Sequence, residues 1–187
     1  MLARDRVTMR WFEEFQEALV GVEASKDGFK LQLEDGLTRL KESILDTIAS
    51  KNRVFLIGNG GSAAICAHIA VDWTKFLKVR VETCNDVPMM SMIANDFEWK
   101  EVFSRQVSKR SMAGDVMIAI SSSGRSSNIL KAIEICRQKK VTVHTVSGFE
   151  RDNPLQHRGR LNFWIPSKSY GHVEAATLCL LHSLVNA

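Results

Sequence analysis

The sequence predicts an α/β fold: a doubly wound, parallel sheet of about five strands flanked by helices and preceded by two amphipathic helices. Three observations predict it. Short apolar runs rich in β-branched residues recur along the chain: VFLIG at 54–58, DVMIAI at 115–120 and VTVHTV at 141–146. Stretches of helical length separate them. Two of the runs give way to glycine- or serine-rich loops, as buried parallel strands do where a helix follows.

The elements follow in order. Phe12, Phe15, Leu19 and Val22 recur at spacings of three and four with Glu13, Glu14 and Glu17 between them, the period of an amphipathic helix. A break near Lys26, Asp27 and Gly28 precedes a second helical stripe of Leu33, Leu37, Leu40, Ile44 and Ile48. Residues 1–52 therefore read as a helical segment that must cover something: the following domain, partner subunits or both. Residues 53–187 carry the sheet. Strands are expected at 54–58, 79–83, 115–120, 141–146 and 161–165. Helices are expected at 62–78, 88–94, 100–110, 128–139 and from 171 to the end. Alternation of this kind implies right-handed βαβ units. There is no solenoid-type repeat and no long linker, so one structural domain is expected.

Composition excludes several classes. A chain of 187 residues, 45% apolar and 25% charged, is a globular chain long enough for one core. No run of 18 apolar residues is present, which rules out a transmembrane helix, and the charged N-terminus lacks the apolar core of a secretory signal. A cytoplasmic address is expected. Cys66, Cys84, Cys136 and Cys179 form no CxxC pair, so neither a zinc ribbon nor a disulfide framework is indicated. The net charge is +4, with short basic clusters at 109–110, 137–140 and 158–160. These are too sparse for a nucleic-acid reader and compatible with anionic metabolites.

Two loops carry the chemistry. Gly58-Asn59-Gly60-Gly61-Ser62 follows the first strand, and Ser121-Ser122-Ser123-Gly124-Arg125-Ser126-Ser127 follows the third. Both sit between a strand and a helix N-terminus, where backbone N–H groups and the helix dipole favour an anion. Serine hydroxyls add donors without bulk, so the loops read as a phosphate cradle. The first loop also matches G-x-G-x-x-A, with Glu82 about twenty residues on, a dinucleotide fingerprint. That reading leaves the serine loop unexplained, whereas a sugar phosphate across both loops explains it. His68 and Asp72, four apart on a helix, share a face and can hold a metal, orient a proton transfer or simply pair. Glu174 and His182 are eight apart, about 12 Å of rise in one helix. They meet at one centre only if the helix starts late or different subunits contribute.

Jointly, IGNGGSAA at 57–64, His68, Asp72, ANDFEW at 94–99, SSSGRSSNILKA at 121–132 and His182 resemble the sugar isomerase (SIS) domain superfamily, and within it the phosphoheptose isomerase group. The likeness spans residues 30–187. It implies a phosphosugar isomerase that converts sedoheptulose 7-phosphate to a D-glycero-D-manno-heptose 7-phosphate, a step in lipopolysaccharide or capsule synthesis. It also implies a homotetramer with sites between subunits and no organic cofactor; the composition, for its part, points to no membrane partner and away from a nucleic-acid one. By position, Asp72 would be the base and His182 the acid. Asn59, Gly60, Gly61 and Ser62 would contact the sugar, Asn95 and Asp96 its hydroxyls, and Ser121, Ser122, Ser123 and Ser126 the phosphate. His68, Asp72 and His182, with Glu174 as a further candidate for metal and substrate, stand where some members bind Zn2+. The chain departs from the family in Asp72 for glutamate, Phe76 for a basic residue, Glu174 for glutamine, and Gly171 for a carboxylate beside a one-residue deletion. The alternatives are a non-catalytic SIS-domain protein (a phosphosugar sensor or a homologue that binds the replication initiator) and a dinucleotide-dependent oxidoreductase.

Overall fold

The computed structural model describes residues 2–186, with side chains for residues 9–185. Helix α1 (Leu2–Val20) leads into a hairpin of β1 (Glu23–Lys26) and β2 (Phe29–Leu31), then α2 (Leu33–Ala49). The sheet continues with β3 (Val54–Ile57), β4 (Val81–Thr83), β5 (Val116–Ser121), β6 (Thr142–Ser147) and β7 (Leu161–Trp164). Between them lie α3 (Gly61–Asp72), α4 (Val87–Asp96), α5 (Ser104–Arg110) and α6 (Ser127–Gln138), and α7 (Tyr170–Asn186) closes the chain.

The strand order is β2-β1-β7-β6-β5-β3-β4. The five strands from β7 to β4 are parallel, as the sequence predicts, while β1 pairs antiparallel with both β2 and β7. Seven strands rather than about five is therefore a correction, and it falls in the leader. The break near residues 26–28 is a hairpin turn in which Asp27 and Gly28 take positive φ, 49° and 87°. Its strands are only 4 and 3 residues long, too short to show a period between two helical stripes. The expected helix over 62–78 also divides: α3 ends at Asp72, and Trp73–Leu77 is a π-helical turn.

The sheet is covered on both faces because its strands alternate. Val54, Leu56, Ile118 and Ile120 pack with Leu40 and Ile44 of α2, Ile69 of α3 and Leu181 of α7. Phe55, Ile57, Met117 and Ala119 pack with Val107 of α5 and Ile129 and Ile133 of α6. All but Ile120, at 2% exposure, are inaccessible to solvent. Helix α1 lies against α7, where the Trp11 ring centre is 4.8 Å from that of His172. The α2 stripe runs out of the core at its end: Ile48 is 45% exposed. Cys66, Cys84 and Cys136 are buried, as expected, and Cys179 is exposed.

Candidate functional site

Strands β3 and β5 are neighbours, with Ile57 opposite Ala119. From β3 the sheet grows outward to β4, and from β5 it grows the other way to β6. The carboxyl ends of β3 and β5 thus flank a topological switch point, where doubly wound sheets bind ligands. Both sequence-predicted loops meet there. Asn59, Ser62, Ser121, Ser122, Ser123 and Ser126 line one cavity of about 120 Å³, joined by Tyr170 and Glu174 from the start of α7.

The loops are locked by their own polar groups. Asn59 and Asn128 exchange amide hydrogen bonds of 3.0 and 2.8 Å, tying the first loop to α6. Ser126 is the N-cap residue of α6 but makes no side-chain cap. Its hydroxyl instead lies 3.1 Å from that of Ser121. Ser126 thus leaves the start of α6 without a cap from the N-cap residue, although the Ile129 amide donates to Asn128 Oδ1 at 2.9 Å, and the positive end of the helix dipole is a setting for an anion. Gly60 is the N-cap residue of α3. Gly61 follows it, and a Cβ there would lie 2.3 Å from Glu174 Oε1. The Glu174 carboxylate thus sits on the N-terminus of α3 in a space that only glycine leaves open, where the dipole favours its charge.

A second polar group lies farther along α3 and α7. Asp72 Oδ2 is 3.5 Å from His68 Nε2 and 3.3 Å from His182 Nδ1. The two Nε2 atoms are 3.0 Å apart, so one ring donates to the other. One ligand atom from each of the three residues falls within 4.8 Å of the others. Two imidazoles and a carboxylate at this spacing suit a divalent ion such as zinc, with a further coordination position left to a small molecule. Although aspartate is shorter than glutamate, its carboxylate reaches both rings. Glu174 does not join this group: α7 is continuous from Tyr170, so about 12 Å of rise separates it from His182.

Trp73, missed by sequence reasoning, links the two helices. It is fully buried, and its indole N–H donates to the Leu181 carbonyl at 3.3 Å, next to His182. Replacing it with phenylalanine, Trp73→Phe, is expected to cost about 1 kcal/mol of stability through the lost hydrogen bond alone. Thermal unfolding checks this. Asn128 was also missed, although it lies inside a quoted motif; its role depends on Asn59, which is 69 positions away. Asn95 and Asp96 are exposed, pair with each other at 2.8 Å and do not line the cavity. Glu82, the acid of the dinucleotide fingerprint, is engaged by Arg53 at 2.5 Å. Among the described residues, no helix is long and apolar enough to cross a membrane.

Comparison with known proteins agrees with this geometry. The SIS domain family matches residues 19–148. Phosphoheptose isomerase 2 of Campylobacter jejuni is 38% identical over 127 residues, 63% of this chain and 63% of its own length. The phosphoheptose isomerase of Helicobacter pylori is 30% identical over 171 residues, 86% of this chain and 88% of its own. Among solved structures, phosphoheptose isomerase GmhA from Neisseria gonorrhoeae shares the fold, with a TM-score of 0.81 at 24% identity over 98% of this chain and 96% of that one.

Proposed function

Because the chain belongs to the SIS-domain family, and within it to the phosphoheptose isomerases, we propose that it converts sedoheptulose 7-phosphate to D-glycero-D-manno-heptose 7-phosphate through an enediol. The observation that carries the mechanism is the Asp72 carboxylate held within 3.5 Å of two imidazoles. Turnover of a panel of ketose phosphates, with the products identified, tests it. The aldoheptose 7-phosphate is the expected product, and failure to turn over any ketose phosphate would overturn the proposal.

In this reading the phosphate binds at Ser121, Ser123, Ser126 and the N-terminus of α6, which fixes the inert end of the sugar and orients the rest. Asp72 removes the proton from C1 as a base. His182 donates a proton to the carbonyl oxygen at C2, giving the enediol. Asp72 then returns its proton to C2 while His182 takes one back from the C1 hydroxyl, leaving the aldehyde. His68, Asp72 and His182 would hold zinc, which supplies Lewis-acid polarisation of the substrate oxygens when bound. Replacing Ser121 and Ser123 with alanine is expected to weaken phosphosugar binding by about 1–3 kcal/mol, measured by calorimetry. Unchanged affinity would place the phosphate elsewhere.

The protein acts in the cytoplasm as a homotetramer. Val71 and Phe76 flank Asp72 and are 65% and 54% exposed, and Ile48 and Phe12 add apolar surface on α2 and α1. Such surface beside a polar site is what a subunit interface covers. Asn95 and Asp96, away from this chain's own cradle, would then serve a neighbouring copy. Light scattering at micromolar concentration is expected to give a multimer; a monomeric mass would contradict this. The segment between α1 and α2 is a hairpin that belongs to the sheet, not the turn of a helix-turn-helix.

A further inference from the structure

The basic clusters at 137–140 and 158–160 play no part in the proposed active site. They meet at the other pole of the sheet. Strands β6 and β7 begin there, and β1 ends there, with Lys26 opposite Leu161. The length of β6, 6 residues, puts this pole about 20 Å from the serine cradle.

A cavity of about 580 Å³ opens at this pole between the hairpin turn, the start of β6 and residues 156–160. Arg137, Arg158, Arg160 and His157 line it, against one carboxylate, Asp27. Among the described residues Arg160 takes part in no ion pair, while Arg158 lies 3.5 Å from Glu134. The loop that carries Arg158 and Arg160 is built, not loose. Asn162, 3% exposed, accepts from the Gly159 amide at 3.2 Å and donates to the Gly159 carbonyl at 3.0 Å. Arg137 also donates to the Arg158 carbonyl at 3.1 Å.

Two buried polar atoms here lack partners: Gln156 Oε1 and His144 Nδ1. Gln156 lines the large cavity. His144, 1% exposed, lines an adjoining one with Lys26, Arg39 and Arg160, where Glu42 and Asp46 are the acids. Burial, and then Arg160, push the His144 pKa down to about 3, so its ring is neutral and has one N–H. Its Nε2 lies 2.9 Å from the Ser43 hydroxyl; when that hydroxyl donates, the ring proton sits on Nδ1 as an unmet donor.

We propose that this cleft is a second ligand site, for a small phosphorylated metabolite of about nucleotide size. Arg137, Arg158 and Arg160 hold the phosphates as forked donors, and Val141 and Val143 wall the organic part. The volume is that of a metabolite pocket rather than a single-ion site. The site lies outside the proposed active site and does not depend on its chemistry.

Inorganic pyrophosphate is the probe, titrated calorimetrically at low salt into the full-length Ser121→Ala, Ser123→Ala protein, whose cradle is weakened. Saturable binding is expected. Adding Arg158→Gln and Arg160→Gln should weaken it at least about tenfold, as for charge-assisted bonds. Because both side chains are at the surface, the fold should hold, and a matched unfolding midpoint verifies this. As a second readout free of arginine substitution, pyrophosphate should slow amide exchange at residues 156–160. No saturable binding, a loss under tenfold, or unchanged exchange at 156–160 overturns the proposal.

Discussion

Asp72→Asn is expected to give a folded, multimeric protein whose isomerase activity falls by about 10²–10⁴-fold, the usual contribution of a positioned general base. The amide has nearly the shape of the carboxylate but cannot accept the C1 proton. Asp72→Glu should retain activity or raise it on sedoheptulose 7-phosphate, since it restores the family's usual residue. Two other roles for Asp72 give different results. As a metal ligand only, its loss would be offset by added zinc. As a structural partner of His68 and His182 only, Asp72→Asn would cost about 1 kcal/mol of stability and leave turnover nearly intact. Steady-state turnover with and without chelator, together with thermal unfolding, separates the three. Substantial turnover by the asparagine variant contradicts the assignment of Asp72 as base.

Gly124→Ala is expected to cause the second large effect. Gly124 has φ +64°, and a Cβ there would lie 1.9 Å from Asn153 Oδ1. Asn153 cannot give way easily. It is fully buried, its Oδ1 accepts from the Leu155 and Gln156 amides, both at 3.1 Å, and its Nδ2 donates to Ser147 Oγ, also at 3.1 Å. Overpacking costs about 1–3 kcal/mol, and the left-handed backbone adds about 1–2 kcal/mol. Because Gly124 donates to the Ser121 carbonyl within the cradle, KM for the sugar phosphate should rise as well. A double-variant comparison isolates the clash: Asn153→Ala removes the group that the added methyl meets and leaves the left-handed backbone unchanged, so Gly124→Ala should cost less in that background than alone. Fully additive losses would remove Asn153 from the explanation.

Much of this architecture can be read in the residues, and the exceptions have physical causes. Strands β3 and β5 are buried on both faces, so their sequences are continuous apolar runs that stand out. The β2 segment FKL is largely exposed and carries no such run, so the hairpin is hidden between two helices. The π turn at 73–77 is invisible because one wider turn barely disturbs a helical period. In the site, His68 and Asp72 could be paired from their spacing alone. His182 could not: 114 positions separate it from His68, and only the packing of α3 on α7 brings it there. Glu174 illustrates the opposite limit, since a straight α7 sets it beside Gly61 instead of the histidines.

The central claim is that Asp72 moves a proton between adjacent carbons of a phosphorylated ketose. Conversion of sedoheptulose 7-phosphate in D2O, followed by NMR of the product, tests it most directly. Exchange of the Asp72-held proton with solvent predicts deuterium at C2 of the aldoheptose 7-phosphate and, on reversal, at C1 of the ketose. Deuterium entering at the wild-type rate in the Asp72→Asn variant would mean that another group moves the proton, and would contradict the account.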